Sequence, residues 1–348
     1  MSAQRFRVGL TRDLLNRNGE PSFGREVLGL LDAAEGIEWE WIPETMTEIT
    51  PDVAARYDGI HLSGPRLTRA SIARDDCRLK IVARHGVGYD SVDVPACTER
   101  GIIVTNAPLG VRRPVAVMAV TFILALSQRL MFKQRLAREQ RWSERQENLG
   151  DGLVGRTLGI VGAGSIGRET LRMAQPFNLE LLINDPYVDP AELQFAGGRI
   201  VALDELLARS DYVVIACLLN DGTRHLINAR ALAMMKPTAY LINVARGPIV
   251  DEKALIEALR SNTIAGAALD VFEQEPPARD NPLLTMDNVI VTPHSLCWTD
   301  QCFAGLGGSA IQSIVDVAER KAPRYVVDRR VLDHPDFQNW LQRRRVAP

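Results

Sequence analysis

Leu153-Val-Gly-Arg-Thr-Leu-Gly-Ile-Val-Gly-Ala-Gly-Ser-Ile-Gly167 is an apolar run that breaks into a Gly-x-Gly-x-x-Gly turn at Gly162, Gly164 and Gly167. Glycine turns are common, so the flanks decide the reading. Thr157 to Val161 has the composition of a buried strand, and Arg168 to Ala174 continues as a helix until Pro176 stops it. In that strand–turn–helix setting Gly162 permits the tight turn, Gly164 lets a pyrophosphate approach the backbone, and Gly167 lets helix pack on strand. The N–H groups that open the helix, at Ser165 and Ile166, then face the phosphates. Asp185 closes the next strand, Leu181-Leu-Ile-Asn-Asp185. A carboxylate there accepts hydrogen bonds from the adenine-ribose hydroxyls and repels a 2′-phosphate, which favours NAD over NADP.

Working outward, Leu158–Val161 heads a series of six strand candidates, continued by 181–183, 212–217, 240–244, 264–269 and 289–292. Helical stretches separate several of them, such as Glu252 to Leu259 with Asp251 placed to cap it. Six strands with the glycine turn on the first predict a doubly wound dinucleotide-binding domain. A second alternating series precedes it. Phe6 to Leu10, the period-two stretch Ile37 to Ile42, and runs at 60–62, 81–83 and 102–105 predict parallel strands joined by crossover helices. The polar stretch from Glu144 to Asp151 reads as a surface loop.

At 348 residues, 46% hydrophobic and 24% charged, the chain has the composition of a two-domain globular protein. A net charge of −2 gives no footprint for nucleic acid or an acidic membrane. The five cysteines (Cys77, Cys97, Cys217, Cys297, Cys302) form no Cys-x-x-Cys pair and no metal-ligand spacing with histidine. No metal is expected, and a reduced, cytoplasmic setting is. Met1-Ser-Ala-Gln-Arg-Phe-Arg7 leads into a strand without a signal-peptide core. Val115 to Leu126 is apolar except at Thr121, but falls short of the ~20 residues a membrane span requires. It predicts a helix from Pro114 to Leu126 that is buried all round, inside the monomer or against a second subunit.

Three further residues point to chemistry. An arginine such as Arg246 can hold a carboxylate and polarise a carbonyl. A histidine such as His294, backed by a carboxylate such as Glu275, can pass a proton near neutral pH. Set behind a dinucleotide fingerprint, they suit redox chemistry on a small anionic 2-keto or 2-hydroxy acid.

These residues lie in Leu241-Ile-Asn-Val-Ala-Arg-Gly247, Ala268-Leu-Asp-Val-Phe-Glu-Gln-Glu-Pro276 and Val291-Thr-Pro-His294. With the glycine motif, and in that order, the chain resembles the D-isomer-specific 2-hydroxyacid dehydrogenases over nearly its whole length. The resemblance implies an α/β fold of two doubly wound parallel-sheet domains with an interdomain cleft. Residues 1–106 and 300–348 would form a flavodoxin-like substrate domain, and 107–299 the Rossmann NAD domain. It implies that Arg246 binds the substrate carboxylate and carbonyl, that His294 is the acid/base, and that Glu275 fixes its tautomer. Asp270 and Ala245 would lie by the cofactor, and the backbone of Val87 and Gly88 would cradle the carboxylate. Helix 114–126 and a helix capped by Thr299 would be the two crossings of a hinge, and the first of them part of a homodimer core.

There are departures. Many relatives carry a glutamate where this chain has Met118, and His-x-Pro where it reads Ala216-Cys217-Leu218. The Ser63-Gly64-Pro65-Arg66 loop is short of one basic residue, and no further regulatory domain is expected after Pro348, two points that weaken a phosphoglycerate reading. Glutamate rather than glutamine at 275 argues against formate oxidation. Arg66, Arg112 and Arg113 read as solvated or as contacts for a second anionic group. His61, His85, His225 and His334 show no partner pattern, and Glu273 reads as a surface charge. The alternative function is an NAD(H)-responsive binding protein, similar to corepressors on this scaffold, with little turnover.

Overall fold

The computed structural model describes residues 5–342. The residues 1–4 expected to lead into the first strand, and 343–348 of the expected return segment, lie outside the described residues. The chain divides into two compact units, Met1–Val111 with Trp298–Pro348, and Arg112–Cys297.

The first unit holds a five-stranded parallel sheet of β1 (Phe6–Leu10), β2 (Ile37–Trp41), β3 (Gly59–Leu62), β4 (Ile81–Arg84) and β5 (Ile103–Thr105). Its order, β2-β1-β3-β4-β5, is the flavodoxin-like one. The two-residue period of the strands sorts side chains onto two apolar layers. Ile81, Ala83 and Ile103 pack with helices Arg25–Asp32 and Asp300–Ala318, while Val82 and Val104 pack with helices Pro51–Arg56 and Val94–Glu99. Because both faces are covered, β3 and β4 read as unbroken apolar runs apart from His61 and Arg84. β2 is an edge strand, and its Ile37, Trp39 and Trp41 are only half-buried, as their alternation with glutamate implies.

The second unit holds seven parallel strands: β6 (Thr157–Val161), β7 (Glu180–Asn184), β8 (Arg199–Ile200), β9 (Tyr212–Ile215), β10 (Tyr240–Asn243), β11 (Gly266–Leu269) and β12 (Val289–Val291). Their order, β12-β11-β10-β9-β6-β7-β8, is the doubly wound Rossmann order extended by one strand. The chain reverses direction across the sheet between β6 and β9, the switch point at which such sheets bind ligands. β8 is one strand more than the sequence predicts, since two exposed residues, Arg199 and Ile200, leave no apolar run to read. Asp251 and Thr299 cap their helices, accepting from the N–H groups of Ala254 and Cys302 at 3.1 Å each.

One expected element is corrected. The apolar helix begins at Pro108, not Pro114, and runs to Ser127 with Pro114 inside it. Pro108 takes the N-terminal place that suits proline. Pro114 then forgoes a bond to the carbonyl of Gly110, the residue four before it. Gly110, inside the helix, leaves room for a close approach, since a Cβ there would stand 2.7 Å from the backbone nitrogen of Leu306. Within the single chain one strip of the helix is uncovered, as burial against a second subunit would require. Val117 and Thr121, one turn apart, are exposed, while Met118, Ala119, Phe122 and Ile123 are buried.

Candidate active site

In the first unit, the loop after β4 is held open by its neighbours. Arg84 donates to the carbonyls of Gly88 and Leu62 at 3.2 Å each, and to that of Ser63. Asn106 Nδ2 donates to the Val87 carbonyl at 3.0 Å, and the Ala107 N–H to the Gly86 carbonyl at 2.8 Å. With the carbonyls so engaged, the N–H groups of Val87 and Gly88 meet no acceptor among the described residues. Two adjacent free donors suit a carboxylate.

Beneath this loop lies a pair the sequence does not reveal. His61 and His85 are both buried, with His61 Nε2 3.1 Å from His85 Nδ1. Phe23 and Phe303 pack on the His85 ring at 5.8 and 5.2 Å. His85 is a core residue here. Burial, with help from the Arg84 charge, lowers its pKa to about 4, and burial pushes His61 well down too. Both rings are neutral near pH 7, and the folded unit resists their protonation. Stability is therefore full above 6.5, the ordinary histidine value, and falls as pH drops toward about 4. The His85 contribution lost at about pH 5 amounts to about 2 kcal/mol. Trp39, Trp41, Trp298 and Trp340 belong to this unit and only Trp142 to the other, so tryptophan fluorescence follows its unfolding. Denaturant titrations should show wild type losing that much more than His85→Gln between pH 7 and pH 5. Equal losses would remove His85 as the cause.

In the second unit, residues singled out from sequence stand at the carboxyl ends of five of the seven strands. His294 follows β12, Asp270 β11, Ala245 and Arg246 β10, Gly162 β6 and Asp185 β7. At ~4.8 Å per strand, Asp185 and Asp270 are separated by about 19 Å along this edge, room for an elongated two-nucleotide molecule.

At the glycine turn, Gly162 has φ +97°, and a Cβ there would stand 2.5 Å from the Cys217 nitrogen. A Cβ on Gly167 would stand 2.1 Å from the Gly162 oxygen. Around Gly164, by contrast, nothing lies within 4 Å of where a Cβ would be. Helix Ser165–Ala174 starts there, and its first N–H groups at Ser165 and Ile166 have no intrahelical partner. Asp185 accepts from the N–H of Ala163 at 2.8 Å and of Tyr187 at 2.9 Å, which fixes its carboxylate at the rim of the turn. These features fit a dinucleotide.

At the other end of the edge, His294 Nδ1 lies 2.7 Å from Glu275 Oε2. Glu275 Oε1 accepts from the Phe272 N–H at 3.1 Å. Burial pushes the Glu275 carboxyl up, but the His294 hydrogen bond and charge, the Phe272 N–H and the Arg246 guanidinium outweigh it. The group titrates below the usual carboxylate range. An ionised Glu275 accepts only, so Nδ1 carries the proton and Nε2 is left for exchange. A cavity of about 350 Å³ adjoins the pair, bounded also by Phe272, Pro276, Pro277 and Val291.

His294 has φ +52°, a strained conformation for a residue with a side chain. Asp270, itself buried, imposes it. One oxygen, Oδ1, accepts from Thr292 Oγ1 at 2.5 Å and from the N–H groups of Ser295 and Leu296 at 3.0 and 3.2 Å. Arg246 is braced likewise. Buried Asn243 donates to its carbonyl at 2.9 Å and accepts from the Ala245 N–H at 3.0 Å, while the guanidinium donates to the Ala245 carbonyl at 2.8 Å. Sequence reasoning passed over Asn243, although it lies inside the Leu241–Gly247 motif.

Arg112 and Arg113 are exposed, as solvated arginines are expected to be, and both also reach a carboxylate of the chain itself. Glu169, buried in the dinucleotide helix, takes Arg113 at 2.7 Å, Arg172 at 3.4 Å and Arg112 at 3.8 Å. Glu273 is an exposed charge, as read from the sequence, and also has a partner, since His225 Nε2 lies 2.5 Å from its Oε1.

Such a sheet, with a glycine turn at its switch point and a carboxylate–histidine pair at one end, defines a dinucleotide-binding α/β protein. Residues 120–295 match the family model for the NAD-binding domain of D-isomer specific 2-hydroxyacid dehydrogenases, and the chain belongs to that family. It is 36% identical over 304 residues to a D-3-phosphoglycerate dehydrogenase of Methanocaldococcus jannaschii, covering 87% of this chain and 56% of that protein. It is 38% identical to a glyoxylate reductase of Thermococcus onnurineus, covering 75% and 80%. The crystal structure of a D-lactate dehydrogenase from Aquifex aeolicus, complexed with NAD and lactic acid, superposes with a TM-score of 0.79 at 27% identity, covering 92% and 98%. The chain spans 37% to 56% of the length of the phosphoglycerate dehydrogenases named among its relatives.

Proposed function

We propose that the protein interconverts a small 2-keto acid and its D-2-hydroxy acid with NAD(H). The observation that carries this reading is the 2.7 Å Glu275–His294 pair, on the same sheet edge as the glycine turn. NADH, when bound, supplies the hydride. Gly164, Ser165, Ile166 and Asp185 would hold its phosphates and ribose, with Ala245 and Asp270 nearer the ring. The N–H groups of Val87 and Gly88 would receive the substrate carboxylate. The Arg246 guanidinium would grip carboxylate and carbonyl, drawing negative charge onto the carbonyl oxygen. His294 Nε2 would give that oxygen its proton in reduction and take it back in oxidation, while Glu275 stabilises the charged ring.

In this reading the first unit is the acid-binding domain and the second the NAD domain. Exposed Val117, Leu130, Met131, Trp142 and Leu149 in the second unit favour a homodimer. Free thiols at Cys77, Cys97 and Cys217 are consistent with the cytoplasm. The NAD(H)-responsive alternative is not favoured, because the relatives named above are dehydrogenases and reductases.

The test is NADH absorbance with a panel of glyoxylate, hydroxypyruvate, pyruvate and larger 2-keto acids. Turnover of at least one, by a species sedimenting at twice 38.5 kDa, is the expected result. Tight NADH binding without turnover of any acid would overturn the reading.

A further inference from the structure

The Arg246 turn and the Glu275 loop lie against each other. A Cβ on Gly247 would stand 1.8 Å from the Phe272 oxygen and 2.4 Å from the Glu273 nitrogen, so the two backbones are in direct contact. On the outside of that contact one residue holds both. The His225 N–H donates to the Pro248 carbonyl at 2.9 Å, two residues past Arg246. The His225 ring reaches the other way, with Nε2 2.5 Å from Glu273 Oε1, two residues before Glu275. Its φ of +51° turns backbone and ring to these separate tasks.

Glu273 is itself anchored. Its N–H donates to Glu252 Oε2 at 3.0 Å, and the Glu252 N–H approaches its Oε1 at 3.4 Å. Glu252 Oε1 in turn accepts from Asn281 Nδ2 at 2.8 Å, on the far side of the loop. The segment that carries Glu275 is thus gripped before and after the catalytic carboxylate, and His225 links that grip to the arginine turn.

We propose that His225, anchored on Glu273, is a positioning residue that keeps the Arg246 guanidinium in register with the Glu275–His294 pair. The proposal rests on the dehydrogenase reading above. Side chains at 44% and 32% exposure form a pair that adds little to folding stability. Its effect is instead geometric. A carbonyl gripped by Arg246 but displaced from Nε2 by a fraction of an ångström transfers its proton poorly.

The experiment uses the full chain, NADH and the best acid of the panel. His225→Ala should keep the melting temperature and the NADH Kd of wild type, while kcat/KM falls about tenfold, mostly in kcat. His225→Gln, whose amide nitrogen reaches where Nε2 stands, should recover most of that loss. Glu273→Ala should behave like His225→Ala, and the double variant should be no worse than either single one. A kcat/KM within twofold of wild type in His225→Ala, or additive losses in the double variant, would overturn the proposal. A wild type that binds NADH and turns over no acid fails earlier, and takes both the dehydrogenase reading and this proposal with it.

Discussion

His294→Ala should slow turnover of a 2-keto acid by about 10²–10⁴-fold while leaving NADH affinity unchanged. The expectation follows from how much of the local structure is devoted to this one ring. Glu275 fixes Nδ1 at 2.7 Å and so turns Nε2 outward as the exchangeable site. Asp270 secures the segment on both sides, through the Thr292 hydroxyl before it and the Ser295 and Leu296 N–H groups after it. That grip holds a strained φ of +52°. Removing the ring leaves the glycine turn untouched, because it sits several strands away along the sheet. Dinucleotide affinity therefore separates a lost proton donor from a disturbed fold. Stopped-flow reduction with saturating NADH is the direct measurement, and turnover within twofold of wild type would exclude His294 as the donor.

Gly247→Ala should be nearly as damaging, by a different route. Its Cβ would meet the oxygen and carbon of Phe272 at 1.8 and 1.9 Å, and these are backbone atoms with no rotamer to escape into. Either the Arg246 turn or the Glu275 loop must move. Overpacking of this kind destabilises by about 1–3 kcal/mol. The displaced guanidinium should lower kcat/KM by about 10²-fold. Gly164→Ala makes the informative contrast. Nothing lies within 4 Å of its added Cβ, so that variant should melt as wild type does and lose NADH affinity instead. Melting curves, NADH titration and kcat/KM on the two variants would show the two patterns. A Gly247→Ala protein with wild-type kinetics would mean the two segments need no fixed register.

Much of this site was legible in the sequence because its parts carry local signals. A glycine turn needs its strand and helix beside it, and Thr157–Val161 and Ser165–Ala174 provided them. Asp251 and Thr299 stood where caps stand. The carboxyl ends of strands are where open sheets present chemistry, so the sequence alone gives Arg246 and His294 a place. What stayed hidden depends on packing between distant segments. The His225–Glu273 and His61–His85 pairs join residues with no shared motif, and each histidine alone is unremarkable in sequence. Glu169 gathers Arg112 and Arg113 across a helix–helix contact that no periodicity announces. Pro114 is ambiguous for a related reason, since proline commonly opens helices, and here Pro108 has already taken that place six residues earlier.

β10, β11 and β12 are neighbours in the sheet as they are in the chain. The arginine, the aspartate, the glutamate and the histidine therefore travel together on the single stretch from Tyr240 to Cys297. A recombination event, natural or made at the bench, that exchanged this stretch between relatives would transplant the proposed proton-handling residues as one cassette. Strands β6 and β7, with the proposed dinucleotide contacts, would stay with the recipient, so on the proposed function carrier preference and acid–base chemistry are free to be inherited separately.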